Sequence, residues 1–458
     1  MKVLLISTYE LGHQPFNLAS PAAHLLNAGH QVQCLDLAVQ NFDDEKVRQA
    51  EFIGISTPMH TALRLGLRAA RRVKKINSRA HINFYGLYAG LNADYLLRHI
   101  ADSVVGGEYE PALMALVNAT ANGDQKTIAG VEQKKARGGT EFPRLQFLQP
   151  ARQLLPPLSQ YAALAINGEH RLAGYVEASR GCAHTCRHCP ITPVYGGRVR
   201  IVQPEIVLAD IRQLAQMGAR HITFGDPDFL NGVKHSLRLV REMHAAWPEL
   251  TFDFTAKIEH LLEHRALLPE FAGCGCLFIV SAVELLNDRV LKILQKGHTR
   301  ADVAEALRLT RAAGIALRPS LMPFTPWTAR QDFLEIIDFA ETQEIVAHID
   351  PVQYSIRLLL PPGSPLLELP ETRPHLREFD AEKFTVLWEH PDPGMDRLQK
   401  DISAIAEAAA PAQREPFEIF AAIRELAYHA AAQPLRRKLT PQSSPAISPP
   451  RLTEHWFC

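Results

Sequence analysis

Three closely spaced cysteines in this sequence could bind one inorganic cluster. Cys182, Cys186 and Cys189 lie in the segment Glu177-Ala-Ser-Arg-Gly-Cys-Ala-His-Thr-Cys-Arg-His-Cys-Pro190, with the spacing C-x3-C-x2-C. Three thiolates on a 4Fe–4S cluster leave one iron without a protein ligand, whereas most electron-transfer clusters have four cysteine ligands. The spacing therefore predicts a cluster whose open iron binds a substrate or a cofactor.

A structural zinc site is the alternative for the same segment, because His184 and His188 stand among the cysteines. Zinc sites usually present their ligands as two separated pairs, and the sequence has no second C-x2-C. This alternative would make the protein a non-catalytic sensor of metal or redox state. Cys274 and Cys276 form a weaker candidate for a second metal or redox pair, since small buried thiols are common.

Length and composition restrict the class of protein. A chain of 458 residues is too long for one hydrophobic core, so two or three domains are expected. A content of 47% hydrophobic and 21% charged residues, with a net charge of zero, favours a soluble protein and suggests neither nucleic acid nor a membrane as partner. The seven cysteines, three of them in one motif, indicate a reducing compartment, the cytoplasm, rather than a disulfide framework. The start of the chain predicts a strand and not a signal peptide.

Residues 1–118 alternate apolar strands with amphipathic helices. This alternation predicts a doubly wound parallel sheet of the Rossmann type, in which ligands bind beyond the carboxyl ends of the strands. The loops at those ends are residues 8–17, 57–61, 86–92 and 106–110. The predicted strands are Val3–Ser7, Gln31–Leu37, Phe52–Ser56, Ile82–Tyr85 and Ser103–Val105.

Three further regions follow a predicted linker over residues 119–165. Repeated strand–helix units over 166–365 predict an open (β/α) barrel, whose chemistry lies at the carboxyl ends of its strands. The cysteine loop and the acidic loop Gly225-Asp-Pro-Asp-Phe229 both follow such strands. Residues 366–433 are predicted to be mainly helical, with helices at Ala381–Trp388, Met395–Ala409 and Pro416–Ala432. Residues 434–458 form a Pro/Ser-rich tail that is predicted to be flexible.

The cysteine loop and the order of the regions resemble the radical S-adenosylmethionine (radical SAM) superfamily, in members that carry an N-terminal cobalamin-binding domain. In the first region the resemblance rests on Ile53-Gly-Ile-Ser56 and Gly106-Gly-Glu-Tyr-Glu110. It implies three cofactors: a 4Fe–4S cluster, S-adenosylmethionine and cobalamin. The implied chemistry is reductive cleavage of S-adenosylmethionine to a 5'-deoxyadenosyl radical, for transfer of a methyl or another group. The implied partners are a small-molecule or peptide substrate and an electron donor such as flavodoxin or ferredoxin.

Two features depart from that family. The Asp-x-His-x-x-Gly motif, which supplies a histidine to cobalt in some cobalamin enzymes, is absent, although His13 lies in the first loop. Gly86-Leu-Tyr-Ala89 also stands where the family often has Gly-Gly-x-His. The first departure is compatible with the resemblance, because many radical SAM relatives provide no protein ligand to cobalt.

The resemblance also implies site residues. Asp226 and Asp228 would hydrogen-bond the ammonium group of S-adenosylmethionine, unless they only bond the backbone of their own turn. The carboxylate and ribose would lie near Glu284, near the segment Lys257-Ile-Glu259 and near Arg318, if Arg318 points into the barrel. Many relatives carry an aromatic ring just before the third cysteine, a feature that this sequence lacks, but the imidazole of His188 at that position can still stack on the purine. Gly107 and Glu108 would contact cobalamin, and Cys182, Cys186 and Cys189 would bind the cluster.

The end of the chain resembles a narrower group within the superfamily. Three segments together are similar to radical SAM proteins that end in Cys-Cys-Ala-Glu-Pro or Cys-selenocysteine-Ala-Glu-Pro: Cys182 to Arg200, Met322-Pro-Phe-Thr-Pro-Trp-Thr328 and Arg451-Leu-Thr-Glu-His-Trp-Phe-Cys458. This sequence stops at the first cysteine of that ending. The resemblance implies a tail that could bind a soft metal or metalloid.

Overall fold

Two seven-stranded sheets organise the protein. The computed structural model describes residues 1–124, 127–133, 136–137, 145–409, 415–435 and 449–454. The first sheet lies in the N-terminal region and the second follows the cysteine motif along the chain. Two small hairpins, each of two strands, accompany them.

The first sheet has the strand order β2-β1-β3-β4-β5-β6-β7, and its first five strands are parallel. Buried apolar side chains cover both faces, which is why Phe52–Ser56 reads as one continuous buried run. The strands are β1 (Lys2–Ser7), β2 (Gln31–Asp36), β3 (Phe52–Ser56), β4 (His81–Tyr85), β5 (Ser103–Val105), β6 (Val131–Gln133) and β7 (Ala136–Arg137). The helices are α1 (Phe16–Asn27), α2 (Asp44–Gln49), α3 (His60–Ile76), α4 (Leu87–Leu91), α5 (Ala93–His99) and α6 (Tyr109–Asn122).

The second sheet has the order β15-β14-β13-β12-β9-β8-β18, and the five strands from β15 to β9 run parallel as a curled half-barrel. Its strands are β8 (Ala163–Ile166), β9 (Glu169–Val176), β12 (His221–Phe224), β13 (Thr251–Thr255), β14 (Cys276–Glu284), β15 (Ala316–Leu321) and β18 (Arg451–Leu452), and β10 (Ser179–Gly181) pairs with β11 (Val199–Ile201) beside it. The helices around it are α7 (Ile191–Tyr195), α8 (Pro204–Gln216), α9 (Val233–Ala246), α10 (Ile258–Glu263), α11 (Leu268–Gly273), α12 (Asp288–Leu294), α13 (Arg300–Ala312) and α14 (Arg330–Thr342).

Alternate residues of the barrel strands face opposite sides. Phe252 and Phe254 of β13 belong to the large apolar core, whereas Asp253 between them faces the concave side. The strand register aligns Asp253 with Phe278 of β14, and Val280 of that strand with Arg318 of β15. Arg318 therefore points into the barrel.

The C-terminal region differs from the prediction in one place. The helix predicted at Ala381–Trp388 is wrong, because β16 (Leu376–Asp380) and β17 (Thr385–Trp388) form an antiparallel hairpin there. Asp380 Oδ1 accepts hydrogen bonds from the N–H groups of Glu382 and Lys383, which builds a turn instead of a helix. The helices α15 (Pro393–Ala409) and α16 (Pro416–Ala430) follow as predicted.

The predicted linker and tail both contain strands. β6 and β7 extend the first sheet, and β8 extends the second. β18 of the tail pairs antiparallel with β8, with Arg451 opposite Ala165. Residues 436–448 of the predicted flexible tail and the last four residues, 455–458, lie outside the described residues. Within the described ranges, no helix combines the length and apolar character needed to cross a bilayer.

Candidate functional site

The cysteine loop lies at the carboxyl ends of the barrel strands, between β10 and α7. Gly181, which leads into Cys182, has φ of 75°. A Cβ atom at this position would lie 2.3 Å from the carbonyl oxygen of Arg198. Glycine is therefore required at the entrance to the loop.

Hydrogen bonds inside the loop fix the second and third cysteines. The carbonyl oxygen of Cys186 accepts from the N–H of Cys189 at 3.2 Å and from Oγ1 of Thr192 at 2.8 Å. Cys182, Cys186 and Cys189 are all free thiols, of which Cys186 is buried and the other two are partly exposed.

The donor set fits a cluster better than a zinc ion. In the described part of the chain, the metal-type side chains whose ligand atoms lie within 4.8 Å of one another are His184, Asp228 and His260, and that group contains no cysteine. A structural zinc would draw its sulfur and nitrogen ligands to within about 2.0–2.3 Å of one ion. Three free thiols on one loop, more widely separated, fit a cluster with one open iron.

The second half of the loop docks on the end of α12. The N–H of Arg187 donates to the carbonyl of Leu294 at 3.0 Å, and Nη1 of Arg187 donates to the carbonyl of Ile293 at 3.1 Å. Carbonyl groups at the C-terminal end of a helix carry partial negative charge, so they attract the guanidinium group. This contact sets the position of His188 and Cys189.

Glu284 lies at the end of β14 and faces the cysteine loop. Its Oε1 accepts hydrogen bonds from Nε2 of His188 at 3.1 Å and from Nζ of Lys296 at 3.0 Å. Burial alone would raise the pKa of Glu284, but Lys296 and His188 outweigh it and hold this pKa well below its ordinary value. Glu284 also has φ of 65°, a left-handed conformation that is uncommon for residues other than glycine.

Asp226 and Asp228 lie beside the cysteine loop, and backbone N–H groups donate hydrogen bonds to their carboxylates. Asp226 accepts from the N–H of Ala178 at 3.0 Å, and burial raises the pKa of Asp226 to about 7. Asp228 accepts from the N–H groups of Leu230 at 3.0 Å and Lys257 at 3.2 Å. Both aspartates therefore hold the strand-end loops together.

Histidines and a lysine surround Asp228 on its open side. Nδ1 of His260 lies 2.9 Å from Oδ2 of Asp228, and Nε2 of His184 lies 3.6 Å from the same oxygen. Nζ of Lys257 contacts Glu259 at 2.9 Å. Nδ1 of His184, in the first half of the cysteine loop, lies 3.8 Å from Oε2 of Glu259, so the segment Lys257-Ile-Glu259 lies next to that part of the loop.

Arg318 lies deeper in the barrel than the other predicted residues. Its Nη2 is 3.2 Å from Oδ2 of Asp350, and its Nη1 donates to the carbonyl of Pro450 at 3.5 Å. The strand register pairs Glu284 with Leu321, three residues beyond Arg318, which corresponds to about 10 Å along the strand. The structure thus does not bring Arg318 next to Glu284.

Gly107 and Glu108 occupy the loop between β5 and α6, at the carboxyl edge of the first sheet. Glu108 faces the second domain, because its Oε1 accepts from Oη of Tyr195 at 2.8 Å. Burial raises the pKa of Glu108, although Arg180 opposes the effect. Gly107 instead lines a cavity.

This cavity has a volume of about 680 Å³, and three parts of the chain form its walls. Small-molecule sites typically measure about 300–1,000 Å³. Gly90 and Gly106 meet there, and a Cβ atom on Gly106 would lie 3.0 Å from Cα of Gly90. The lining includes Gly90, Asn92, Tyr95, Gly106 and Gly107 of the first domain, Pro193 and Val194 of α7, and Gly363, Phe379 and Val386 of the C-terminal region.

Arg180 is the main interface residue that sequence reasoning missed. It is 6% exposed, and its Nη2 lies 2.7 Å from Oε1 of Glu110. Its Nε lies 2.6 Å from Glu177, and its Nη1 lies 3.7 Å from Glu108. Only the position directly before Gly181 and Cys182 could have indicated a role, because the partners come from distant parts of the sequence.

Two other candidates, His13 and the pair of Cys274 and Cys276, take part in packing. The ring of His13 contacts that of Tyr175 of β9 at a centroid distance of 4.8 Å and a tilt of 38°, and burial lowers the pKa of His13 to about 4. His13 therefore packs against the barrel. Cys274 and Cys276 belong to the large apolar core at the start of β14, at the end opposite the cysteine loop.

Comparisons with known proteins match both domains. Residues 176–340 match the radical SAM superfamily, and residues 2–117 match the B12 binding domain. An uncharacterized methyltransferase of Pyrococcus horikoshii is 23% identical over 390 residues, which cover 81% of this chain and 82% of that protein. The ribosomal protein uS12 methylthiotransferase RimO of Desulfotalea psychrophila is 25% identical over 243 residues, and the chain spans about half of its length.

Solved structures share the fold over most of the chain. The radical S-adenosylmethionine methyltransferase TsrM of Kitasatospora setae, with tryptophan substrate and a SAM analog bound, has a TM-score of 0.66 and 18% identity, covering 88% of each chain. The cobalamin-dependent radical enzyme OxsB, with aqua-cobalamin and S-adenosylmethionine bound, has a TM-score of 0.68 and 15% identity, covering 87% of this chain and 66% of that one.

The chain therefore joins a B12-binding domain to a radical SAM domain, the domain pair of cobalamin-dependent radical SAM enzymes. It is a radical SAM enzyme, and its two domains provide for a 4Fe–4S cluster, S-adenosylmethionine and cobalamin as cofactors. The enzymatic interpretation is confirmed over the non-catalytic metal site.

Proposed function

We propose that the enzyme transfers a methyl group from cobalamin to a small organic molecule. The single observation that carries this proposal is the contact network at Arg180, which joins the loop of Glu108 and Glu110 to the cysteine loop. The network keeps the edge of the first sheet against the open face of the barrel. When bound, the cluster supplies the electron that cleaves S-adenosylmethionine, and cobalamin carries the methyl group.

The residues of this chain have separate proposed tasks. Cys182, Cys186 and Cys189 would hold the cluster. Glu284 and His188 would hold the amino-acid and purine parts of S-adenosylmethionine, with Asp226 and Asp228 shaping the adjacent loops. Gly107, with Gly90 and Gly106, would let part of cobalamin approach the backbone in the cavity, and Glu108 would fix that loop. Arg318 would meet an acidic group of the substrate, since it lies deeper in the barrel.

Close packing between the domains supports a small acceptor. His13 packs on Tyr175, and Tyr195 bonds Glu108, so the two domains meet directly on both sides of Arg180. A peptide acceptor would need an open groove between them. The names of the relatives, methyltransferase and methylthiotransferase, agree with a one-carbon or sulfur-linked group as the transferred unit.

Several finer assignments belong to the same proposal. We propose domain limits of 1–118 and 166–365, with residues 119–165 as a connecting segment that also contributes strands. Ala183 and Thr185 of the cysteine loop are exposed, which supports electron entry there from a flavodoxin or ferredoxin. Every described cysteine is a free thiol, which supports a cytoplasmic location. We retain the likeness to proteins with a Cys-Cys-Ala-Glu-Pro or Cys-selenocysteine-Ala-Glu-Pro ending as a hypothesis about the tail.

Anaerobic reconstitution with iron and sulfide, followed by reduction in the presence of S-adenosylmethionine, tests the assignment. We expect 5'-deoxyadenosine to form and the visible spectrum of the protein to show cobalamin. Cys186→Ala should lose the cluster and the product, whereas the matched control Cys274→Ala should keep both. A wild-type protein that binds stoichiometric zinc and forms no cluster would refute the proposal.

A further inference from the structure

Lys296 holds a buried ammonium group next to the cysteine loop. Its exposure is only 2%, and its Nζ donates to Oε1 of Glu284 at 3.0 Å. The same oxygen accepts from Nε2 of His188, which stands between Cys186 and Cys189 in the sequence. One carboxylate oxygen therefore connects the ammonium group to the cysteine loop.

The backbone around Lys296 is tied to that loop as well. Leu294 and Ile293, at the end of α12, accept the hydrogen bonds of Arg187. Gln295 then turns the chain with φ of 57°, and the N–H of Lys296 donates to the carbonyl of Leu291 at 3.0 Å. Lys296 is thus anchored both at its backbone and at its ammonium group.

Two atoms near Lys296 remain open to a ligand. Oε2 of Glu284 accepts no hydrogen bond from the part of the chain that the structure describes. Nδ1 of His188 is buried and has no partner among the described residues. The Lys296–Glu284 pair therefore adjoins two polar atoms that a ligand could bond, which an apolar core would not provide.

Cys186 and Cys189 contribute to the electrostatic surroundings of the ammonium group. Burial would lower the pKa of Lys296, but Glu284 and then Cys186 and Cys189 raise it, so the side chain stays protonated. A fixed cation stabilises the reduced state of a cluster more than the oxidised state, because reduction adds negative charge. Glu284 opposes this effect, since its charge has the opposite sign.

We propose that Lys296 is a positioning residue of the cluster site: it orients Glu284 and His188 and compensates the negative charge beside Cys186 and Cys189. The reduction potential of the cluster then depends on the balance between Lys296 and Glu284. This inference rests on the assignment of the cluster to the three cysteines. It names a role for Lys296 that is separate from ligation of iron.

Redox titration of the reconstituted cluster, followed by electron paramagnetic resonance without S-adenosylmethionine, tests this role. Lys296→Met should shift the midpoint potential to a more negative value, and at a fixed potential the ratio of reduced to oxidised cluster should fall by about tenfold. Glu284→Gln should shift the midpoint in the opposite direction. Lys296→Arg, which keeps the charge, should restore the wild-type value.

The outcomes separate this inference from the proposed function. If the wild-type protein forms no cluster, the assignment of the cysteines fails. If the cluster forms and its potential is the same in wild type, Lys296→Met and Glu284→Gln, the role of Lys296 is refuted. If Lys296→Met does not fold, the direction of the shift in Glu284→Gln decides alone, and a shift to a more negative potential refutes the inference.

Discussion

Replacing Arg180 with methionine tests whether one buried cation holds the two domains together. In the wild type this guanidinium group contacts Glu110 through two hydrogen bonds of 2.7 and 2.8 Å and Glu177 through one of 2.6 Å. Methionine fills much of the same volume and leaves the carboxylates without a cation. Removing one partner of a buried ion pair typically costs about 3–5 kcal/mol, a large part of the total stability of most domains.

The loss of stability in Arg180→Met should also depend on pH. Burial would raise the pKa of Glu110, but Arg180 outweighs it and the pKa lies below its ordinary value. The stabilisation from Glu110 is therefore present above that ordinary value and is lost as the pH falls through the folded-state pKa. Without Arg180, burial raises the pKa of Glu110, and its contribution is instead lost as the pH rises. The difference in stability between wild type and variant should therefore grow from about pH 5 to pH 8.

Chemical denaturation at both pH values measures this difference in the free energy of unfolding. The cluster-free protein is used, so that loss of the cluster does not contribute to the result. Arg238→Met is the matched control, because Arg238 also contacts two carboxylates, at 2.7 and 3.2 Å, but is 51% exposed. Exposed pairs contribute about 0–1 kcal/mol. If Arg180→Met and Arg238→Met change the free energy of unfolding equally, Arg180 does not stabilise the interface as argued.

Three further predictions concern other parts of the molecule. Burial raises the pKa of Glu10 from 4.5 to about 8. As the pH rises through this range, the wild type should therefore lose stability relative to Glu10→Gln, by roughly 5 kcal/mol at most. If the free energy of unfolding of both proteins has the same pH dependence, this expectation is wrong. Gly106→Ala would place Cβ 3.0 Å from Cα of Gly90, so cobalamin titration should show weaker binding, while cluster content stays unchanged. Deletion of residues 450–458 removes the contacts of β18 with β8, including the 2.8 Å hydrogen bond from the N–H of Thr453 to the carbonyl of Ala163. The free energy of unfolding should fall by about 1–3 kcal/mol. An unchanged denaturation midpoint would show that β18 contributes nothing.

The parallel strands and the cysteine loop could be predicted from the sequence because their signals are local. Phe52–Ser56 is buried throughout and mostly apolar, since both faces of a parallel strand are covered. The three cysteines are close in sequence and stay close in the fold. In both cases the residues that carry the information are neighbours along the chain.

The hairpin β16–β17 shows where local signals fail. Ala381, Glu382 and Lys383 are good helix formers, and they favoured a helix in the prediction. In the structure Asp380 caps a turn over these residues, and Phe384 follows with φ of 49°. Phe384 is fully buried in the core of the first domain and meets the ring of Tyr95 at 5.1 Å. A contact between residues so far apart in sequence outweighs local helix propensity.

The buried charged side chains could not be predicted from local signals either. Nothing in the sequence distinguishes Arg180 or Lys296 from the many exposed basic residues, because burial depends on which segments meet. Each was missed although each lies close to a motif that was found. The residues that tune a site are thus harder to predict than the residues that bind the cofactor.

The same hairpin bears on where specificity arises. Phe379 and Val386 line the cavity beside Gly107, so the C-terminal region provides a wall that lies outside both the B12-binding and the radical SAM domain. Arg180 stands two residues before Cys182 and pairs with Glu110 in the first turn of α6. The loop of Gly107 and the segment that leads into the cysteine loop are therefore joined by one guanidinium group, which takes its carboxylate partners from both domains.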